Sequence, residues 1–554
     1  MKRLSLPIER LKESYDVIVI GSGYGGGIAA SRLSRAGKRV CLLERGKEIQ
    51  PGEYPDNPVD LLKQLQSDTP LGHMGSPTGL FDIRYNPDIN VVVGCGLGGT
   101  SLINAGILLK PDSRIFEDER WPAEIRNDPQ MDHYFDLAES MLKAAPYPSD
   151  WPTLDKFAAL KHGAQSIGKP FRPVSVAVNF NKLDNDINHV GVTQQPCANC
   201  GDCVSGCNYQ AKNTVLMNYL PDAANHGAEI YTEISVRQIV RHEGRWLVQA
   251  VDLSSEKAIT LLADIVVLAA GTLGSTEILL RSADAGLPLS NRLGCCFSAN
   301  GDTLGFAYNV DRAIHGLGTG ASALDGGAPV GPCSTGMIDL RNGNAVEDGM
   351  IIIDGAMPSA IAAFVPKLLA AAATITGTDT DSGLMDKLKE TAREIESKLL
   401  GSYTGAIENT LFLLAVSQDD AAGEMYLEED RLRIRWPGLG NQKSFKAASD
   451  VMTKVTAALG GTYIPNPVWN ELTNHNLLTG HPLGGCIMAD SAKEGVVNHK
   501  GQVYDATAID SVHRGLYVMD GAVVPRALGV NPLFTISALA ERNCDQLIRD
   551  YASN

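Results

Sequence analysis

The chain has 554 residues, 44% hydrophobic and 20% charged, with a formal net charge of −16. That describes an ordinary globular protein able to bury a large core and divide into two domains, perceptibly unlike a disordered or low-complexity chain. The acidic balance, without any basic block or basic–aromatic patch, argues against nucleic acid or an anionic membrane as a partner.

Met1–Tyr15 carries basic residues but no apolar core long enough for a secretory signal, so a cytoplasmic location is expected. Eleven cysteines then read as thiols or ligands rather than as a disulfide framework.

The segment Asp16–Gly46 contains the parts of a dinucleotide-binding βαβ unit. Val17–Ile20 is a short continuous apolar run, as in a parallel strand buried on both faces. Gly21, Gly23 and Gly26 supply G-x-G-x-x-G, with Tyr24 and Gly25 inside the turn. The first glycine permits the bend, the second lets the backbone approach a pyrophosphate, and the third lets the helix pack on the strand. A second strand, Val40–Leu43, delivers Glu44 where a carboxylate can bind a ribose diol. The unit alone does not separate FAD from NAD.

Further along, Val91–Lys110 runs from an apolar strand into Gly94, Gly96, Gly98 and Gly99, then Thr100, Asn104 and Gly106. Glycine at this density lets backbone lie against a planar or phosphorylated group. Next, Cys197, Cys200, Cys203 and Cys207 have the C-x2-C-x2-C-x3-C spacing of bacterial ferredoxins. Asn208 rather than proline follows the last one, and there is no second run. An iron–sulfur cluster, a structural zinc or local disulfide, and plain buried thiols all remain open for this segment.

Glu229–Val240 alternates like a strand and includes Val236. Leu261–Gly271 predicts a strand ending in a glycine turn at Gly271–Gly274, with a helix from Ser275. Thr303–Asn309 and Gly336–Leu340 predict strands of an antiparallel sheet, and Glu424–Trp436 a hairpin. Asp354 lies amid apolar residues in IIIDGAMPS. Ile361–Gly377 is the longest apolar stretch but is broken by Pro366 and Lys367 and is too short for a comfortable membrane span. It reads either as a buried helix or as an apolar lid that admits a lipophilic substrate, so membrane contact is peripheral at most. Leu384, Leu388, Ile395 and Leu399 predict a solvated covering helix. Near the C-terminus come HPLGGC, starting at His481, a strand at Leu516–Asp520, Gly521, and then Asn531-Pro532 opening a helix over Leu533–Arg549.

Together these elements predict an α/β protein in which a Rossmann-like nucleotide domain is interleaved with an α+β substrate domain containing an antiparallel sheet. The expected division gives residues 1–115, 196–300 and 480–554 to the nucleotide domain, the second part holding the cysteines. Residues 116–195 and 301–479 form the connecting segment and substrate domain.

At this point the chain resembles the glucose-methanol-choline (GMC) oxidoreductases over essentially its full length. GSGYGGG with Glu44, VGCGLGGTSLINAG, LAAGTLGSTEILL, HPLGGC and YVMDGAVVP…GVNPLFTISALAER carry the likeness. It looks closest to the bacterial branch that includes cholesterol oxidases. The resemblance implies FAD rather than NAD, held at the domain interface, and HPLGGC with its surroundings shows no obvious covalent-linkage motif, so noncovalent FAD is expected. Gly21, Gly23, Gly26 and Glu44 would bind its ADP half, with Val236 beside the adenine. Gly99, Thr100, Asn104 and Gly106 would line the isoalloxazine, and Gly521, Asn531 and Pro532 its pyrimidine end. It further implies oxidation of a hydrophobic alcohol, sterol-like, cyclic or long-chain, with hydride passing to flavin N5. His481 would take the hydroxyl proton, since an imidazole titrates near neutrality, and Asn531 would bind the substrate oxygen. Asp354 is the nearest candidate for moving a sterol double bond, although the local pattern differs from that of the sterol oxidases, and it reads equally as a satisfied loop carboxylate. Dioxygen, a quinone or an electron-transfer protein would reoxidise the flavin. In some flavin dehydrogenases similar to this chain a cysteine-rich segment holds a three-iron cluster that exports electrons. A lyase or isomerase on the same scaffold, and a dehydrogenase relaying electrons through an iron–sulfur cluster, are the competing functions.

Overall fold

The computed structural model describes residues 2–324, 327–381, 383–466, 469, 476–508 and 511–552. The Asp16–Gly46 segment folds as strand Ser14–Ile20, helix Tyr24–Arg35 and strand Val40–Leu43, the two strands being parallel with Val17 opposite Val40. On its other side Ser14–Ile20 pairs in parallel with Lys257–Leu268, which in turn pairs in parallel with Val512–Val518. Val17, Ile18 and Val19 are fully buried, as a continuous apolar run covered by helices on both faces requires. The parallel strands end at one edge of this sheet, and Gly21, Glu44, Ala269–Gly271 and Asp520 follow them there. That edge is where open α/β sheets bind ligands.

The alternating segment expected as one strand over Glu229–Val240 is two. Glu229–Tyr231 pairs in parallel with Val40–Leu43, whereas Ile234–His242 pairs antiparallel with Arg245–Asp252. Between them Glu233 adopts φ 61°, a left-handed turn that redirects the chain although the apolar alternation runs through it. The helix expected from Ser275 begins earlier, at Gly271, and runs to Asp284.

A seven-stranded antiparallel sheet forms the second layer. Its order is Thr378–Asp379, Thr462–Pro465, Thr303–Tyr308, Leu411–Val416, Ile351–Gly355, Gly336–Asp339 and Phe171–Pro173. Both strands expected from the sequence in this region belong to it. Side-chain alternation divides its faces. Leu411, Leu413 and Ala415 enter a buried cluster with Ala159, Leu160 and Met452 of helices Asp155–Ser166 and Lys443–Leu459. Their neighbours Phe412 and Leu414, with Leu304 and Phe306 of the adjacent strand, face a cavity instead. A third, five-stranded sheet places Leu477–Thr479 parallel to Ile89–Gly94, bringing His481 toward the glycine-rich loop that follows Gly94. The expected hairpin forms from Glu424–Glu428 and Arg431–Arg435.

The apolar stretch becomes helix Val365–Thr376, with Pro366 in its first turn. The expected covering helix spans Leu384–Leu400, and Leu388, Ile395 and Leu399 are more than half exposed on it. On this helix Glu390 sits beside Asp381 and Asp379, and burial with that repulsion pushes its carboxyl up to about 7. Because the folded value exceeds the unfolded one near 4.5, folding takes up a proton between the two. The stabilising share is therefore complete below about 4.5 and disappears as pH rises through 7. Glu390→Gln should flatten that fall by about one proton's slope, measured by urea unfolding from pH 4.5 to 8. Among the described residues no helix is long and apolar enough to cross a membrane.

Candidate active site

A cavity of about 930 Å³ runs from the ligand-binding edge of the parallel sheet to the apolar face of the antiparallel sheet. At the sheet edge Gly21 has φ 95°, and a Cβ there would meet the Ala269 carbonyl oxygen at 2.3 Å. A Cβ on Gly26 would lie 2.0 Å from the Gly21 oxygen, so this glycine holds the helix against the strand rather than facing the cavity. A Cβ on Gly23 would meet nothing within 4 Å. That open side, beside the N-terminus of helix Tyr24–Arg35, is the opening a pyrophosphate needs. Gly25 and Tyr24 also line the cavity, and the Tyr24 hydroxyl accepts a hydrogen bond from Asn104 Nδ2 at 2.8 Å.

Glu44 lines the same region and is nearly buried. Ser22 Oγ and the Ser22 and Gly46 amides donate to its carboxylate at 2.5, 3.1 and 2.7 Å. Burial raises its pKa, and those hydrogen bonds partly oppose the rise. Val236 lies on this wall as well. Gly99, Thr100, Asn104 and Gly106 line the middle of the cavity; Thr100 Oγ1 accepts from the Gly94 amide and Asn104 Oδ1 from Gly106.

Asp520 was not singled out from the sequence, although it follows a buried strand just as Glu44 does. Its carboxylate accepts from the Gly271 amide, Ser275 Oγ and the Ala522 amide at 2.9, 2.5 and 2.9 Å. It thereby fastens the start of helix Gly271–Asp284 to the Gly521 turn. Burial pushes its carboxyl up to about 6. Gly271, Gly521 and Pro532 all line the cavity, and Pro532 leads directly into helix Leu533–Ala552. The positive end of that helix dipole therefore meets the cavity wall.

The polar centre is His481. Its Nδ1 lies 2.7 Å from Asp302 Oδ1, and its Nε2 lies 3.3 Å from Asn531 Nδ2. Asp302 is buried and also accepts from Thr479 Oγ1 and the Gly480 amide, which holds both carboxylate oxygens in place. An ionised carboxylate only accepts, so Nδ1 carries the proton and Nε2 keeps its lone pair on the cavity side. Asn531 is 4% exposed, and its Oδ1 is buried with no protein partner. An orphaned buried acceptor beside a histidine lone pair fits a bound group carrying a hydroxyl or N–H donor. Asp302 was likewise missed: nothing around Asn300-Gly301-Asp302 marks it, and its partner is distant in sequence. Asp302→Asn should keep the shape but misdirect the His481 tautomer, lowering kcat about 10–100-fold with FAD content unchanged by absorbance.

Asp354 stands elsewhere. It is fully buried, outside the cavity wall, and accepts from Lys156 Nζ and Thr335 Oγ1 through Oδ2 and from the Thr335 and Gly336 amides through Oδ1. The sequence located a desolvated acid correctly, but the fold has spent its lone pairs on structure. It has no free face for a substrate.

Beyond His481 the wall is apolar, formed by Leu304, Phe306, Phe412 and Leu414 with Ile361, Val365 and Leu369. Leu368 both lines the cavity and is 57% exposed, so helix Val365–Thr376 stands at its mouth. The two expectations for this stretch meet in one element, whose Val365, Leu369 and Ala372 are buried while Leu368 is exposed. The four cysteines line a separate, small cavity with Tyr209 and Lys212. All eleven cysteines are free, which removes the local disulfide.

A dinucleotide-binding edge joined to a histidine-centred apolar cavity defines an oxidoreductase of the cofactor-dependent kind. The GMC oxidoreductase N-terminal profile matches residues 16–294 and the C-terminal one residues 427–540; the chain belongs to the GMC oxidoreductase family, and membership implies FAD. A cholesterol oxidase of Mycobacterium tuberculosis is 28% identical over 96% of this chain and 91% of its own length. A long-chain-alcohol oxidase of Arabidopsis thaliana is 24% identical over 97% and 68%. Among solved structures, a fungal aryl-alcohol oxidase aligns with TM-score 0.62 at 14% identity, covering 98% of this chain and all of that one. Aspergillus oryzae formate oxidase aligns at 0.63 and 14%, covering 98% and 99%. These likenesses concern the fold.

Proposed function

We propose that the protein oxidises the CH–OH group of a hydrophobic alcohol, of sterol-like, cyclic or long-chain type, to the carbonyl. The observation carrying this is His481, held by Asp302 and facing Asn531, where the dinucleotide edge meets an apolar wall. Gly21, Gly23, Glu44 and Val236 would hold the ADP half of FAD, and Gly99, Thr100, Asn104, Gly106, Gly521 and Pro532 its ring system. FAD, when bound, supplies the hydride acceptor. The chain's residues manage the proton and the oxygen. His481 Nε2 accepts the hydroxyl proton, and Asp302 stabilises the imidazolium that results. Asn531 aims its amide at the substrate oxygen, and the first turn of helix Leu533–Ala552 favours negative charge forming nearby. Phe306, Phe412 and Leu414 exclude water and bind the apolar body. The oxidase relatives support dioxygen as the acceptor.

The test is anaerobic mixing of the FAD-loaded protein with primary, cyclic and sterol alcohols, followed by absorbance. Loss of the oxidised-flavin band with one of these and formation of its carbonyl product is expected. No loss with any, alongside product formation without oxidation, would establish a lyase or isomerase instead.

A further inference from the structure

We propose that Asn300 is a positioning residue of the active site, whose buried amide sets the place of Asn531 opposite His481. It rests on the alcohol-oxidising reading above, in which His481 takes the hydroxyl proton and Asn531 holds the substrate oxygen.

His481, Asp302 and Asn531 come from three segments far apart in the chain, so two relations have to be fixed before they act together. The first, Asp302 to His481, is a direct and short contact of 2.7 Å between Oδ1 and Nδ1. The second is weaker: Asn531 Nδ2 lies 3.3 Å from His481 Nε2, and Asn531 Oδ1 is buried with no protein partner. One long hydrogen bond does not fix an amide that must meet a substrate oxygen. The segment carrying Asn531 has to be held instead.

Asn300 supplies that hold. It lies two residues before Asp302, is fully buried, and stands outside the cavity wall. Its Nδ2 donates to the Val530 carbonyl and its Oδ1 accepts from the Leu528 amide, both at 2.7 Å. A single side-chain amide thus pairs with the backbone on either side of Gly529, and that turn ends in Asn531. The residue type follows from the task. Asn300 adopts φ 56°, a left-handed backbone that asparagine tolerates better than most residues. Its amide offers a donor and an acceptor together, which neither a carboxylate nor an apolar side chain does.

The other end of the bridge is anchored as firmly. The Asp419 carboxylate accepts from Ser298 Oγ and from the Ala299, Gly301 and Ala421 amides at 2.8, 2.9, 2.9 and 3.0 Å. Ser298 Oγ in turn accepts from the Asn300 amide at 3.0 Å. Ser298 also exchanges backbone hydrogen bonds with Leu483, two residues beyond His481. The 298–302 turn is therefore a platform that presents Asp302 to His481 and Asn300 to the 528–531 turn. Without the Asn300 amide, a carbonyl and an N–H in two buried residues, Val530 and Leu528, lose their partner. Asn531 and the start of helix Leu533–Ala552 then shift together, and a small misplacement of an orienting group is costly in rate.

The test compares FAD-loaded wild type, Asn300→Ala, Asn531→Ala and the double variant in anaerobic flavin reduction at saturating alcohol. Asn300→Ala should lower the limiting rate about 10–100-fold with FAD still bound. Because it acts through Asn531, the two losses should not multiply: the double variant should exceed their product by at least about threefold. Losses that multiply within that margin, or an undiminished rate in Asn300→Ala, would overturn the proposal. A second readout needs no alcohol. Reduced flavin carries negative charge that a helix start stabilises, so Asn300→Ala should move the reduction potential of bound FAD to a more negative value, measured by dye equilibration. If no alcohol reduces the wild-type flavin, the alcohol reading has failed by itself, and the potential decides alone: an unshifted value overturns the role of Asn300. Should Asn300→Ala fail to fold with FAD, Asn300→Gly removes the same amide without strain at φ 56° and takes its place in both measurements, with the same expected results.

Discussion

Replacing His481 with alanine should lower kcat by about 10²–10⁴-fold while leaving FAD bound, because general-base catalysis contributes on that scale. No other cavity residue on the Asp302 side can substitute. Thr479 Oγ1 donates to the Asp302 carboxylate or to the Ala299 carbonyl, and Asn531 has no basic site. The substitution would also leave Asp302, which is 2% exposed, without the His481 partner. The Thr479 and Gly480 donors remain, so the fold should survive. Stopped-flow reduction by the best alcohol under anaerobic conditions reads the chemical step directly. The rate should recover with rising pH in the alanine variant, as solution hydroxide increasingly removes the alcohol proton, whereas a merely structural histidine would give a pH-independent loss. Unchanged reduction in an FAD-loaded variant would remove His481 from the mechanism.

The parts of this site that are contiguous in sequence were legible in it. Gly21, Gly26 and Glu44 are within one βαβ unit, where the strand, turn and helix dictate each other's geometry over a few residues. The strand Thr303–Tyr308 was legible too, but only the fold shows that its Leu304 and Phe306 line the cavity beside Phe412 and Leu414 of the neighbouring strand, whose run LFLLAV shows no alternation. What the sequence did not disclose are pairings across the chain. Asp302 orients His481 because Ser298 bridges Leu483 and Thr479 hydrogen-bonds Ala299 and Asp302, contacts about 180 residues apart in sequence that no local pattern encodes. Asp520 had a local signal, an acid closing a buried strand, which the glycine beside it overshadowed. The break at Glu233 was hidden for the opposite reason: apolar alternation continues through it while the backbone turns.

Asp354 shows the same limit at its sharpest. Its apolar neighbours announced burial, and burial without a partner implies a shifted, reactive acid. The partner is Lys156, on a helix far away in sequence, itself fully buried and 2.5 Å from Asp354 Oδ2. Lys156 also donates to the Cys333 carbonyl and Thr335 Oγ1, so the pair pins helix Asp155–Ser166 to two strands of the antiparallel sheet. Lys156→Met should therefore destabilise the protein by about 3–5 kcal/mol, since it leaves an uncompensated buried carboxylate. Asp354→Asn should cost a similar amount by stranding the ammonium, and its amide would also present N–H to the Thr335 or Gly336 donor. Joining the two substitutions removes both charges. The double variant should be markedly more stable than the sum of the single losses predicts, with a coupling on the order of 1–3 kcal/mol. Urea unfolding of the four proteins, with loaded FAD held constant, measures that coupling. A catalytic Asp354 would behave differently: Asp354→Asn would spare stability, abolish only a double-bond shift in the product, and show no coupling to Lys156.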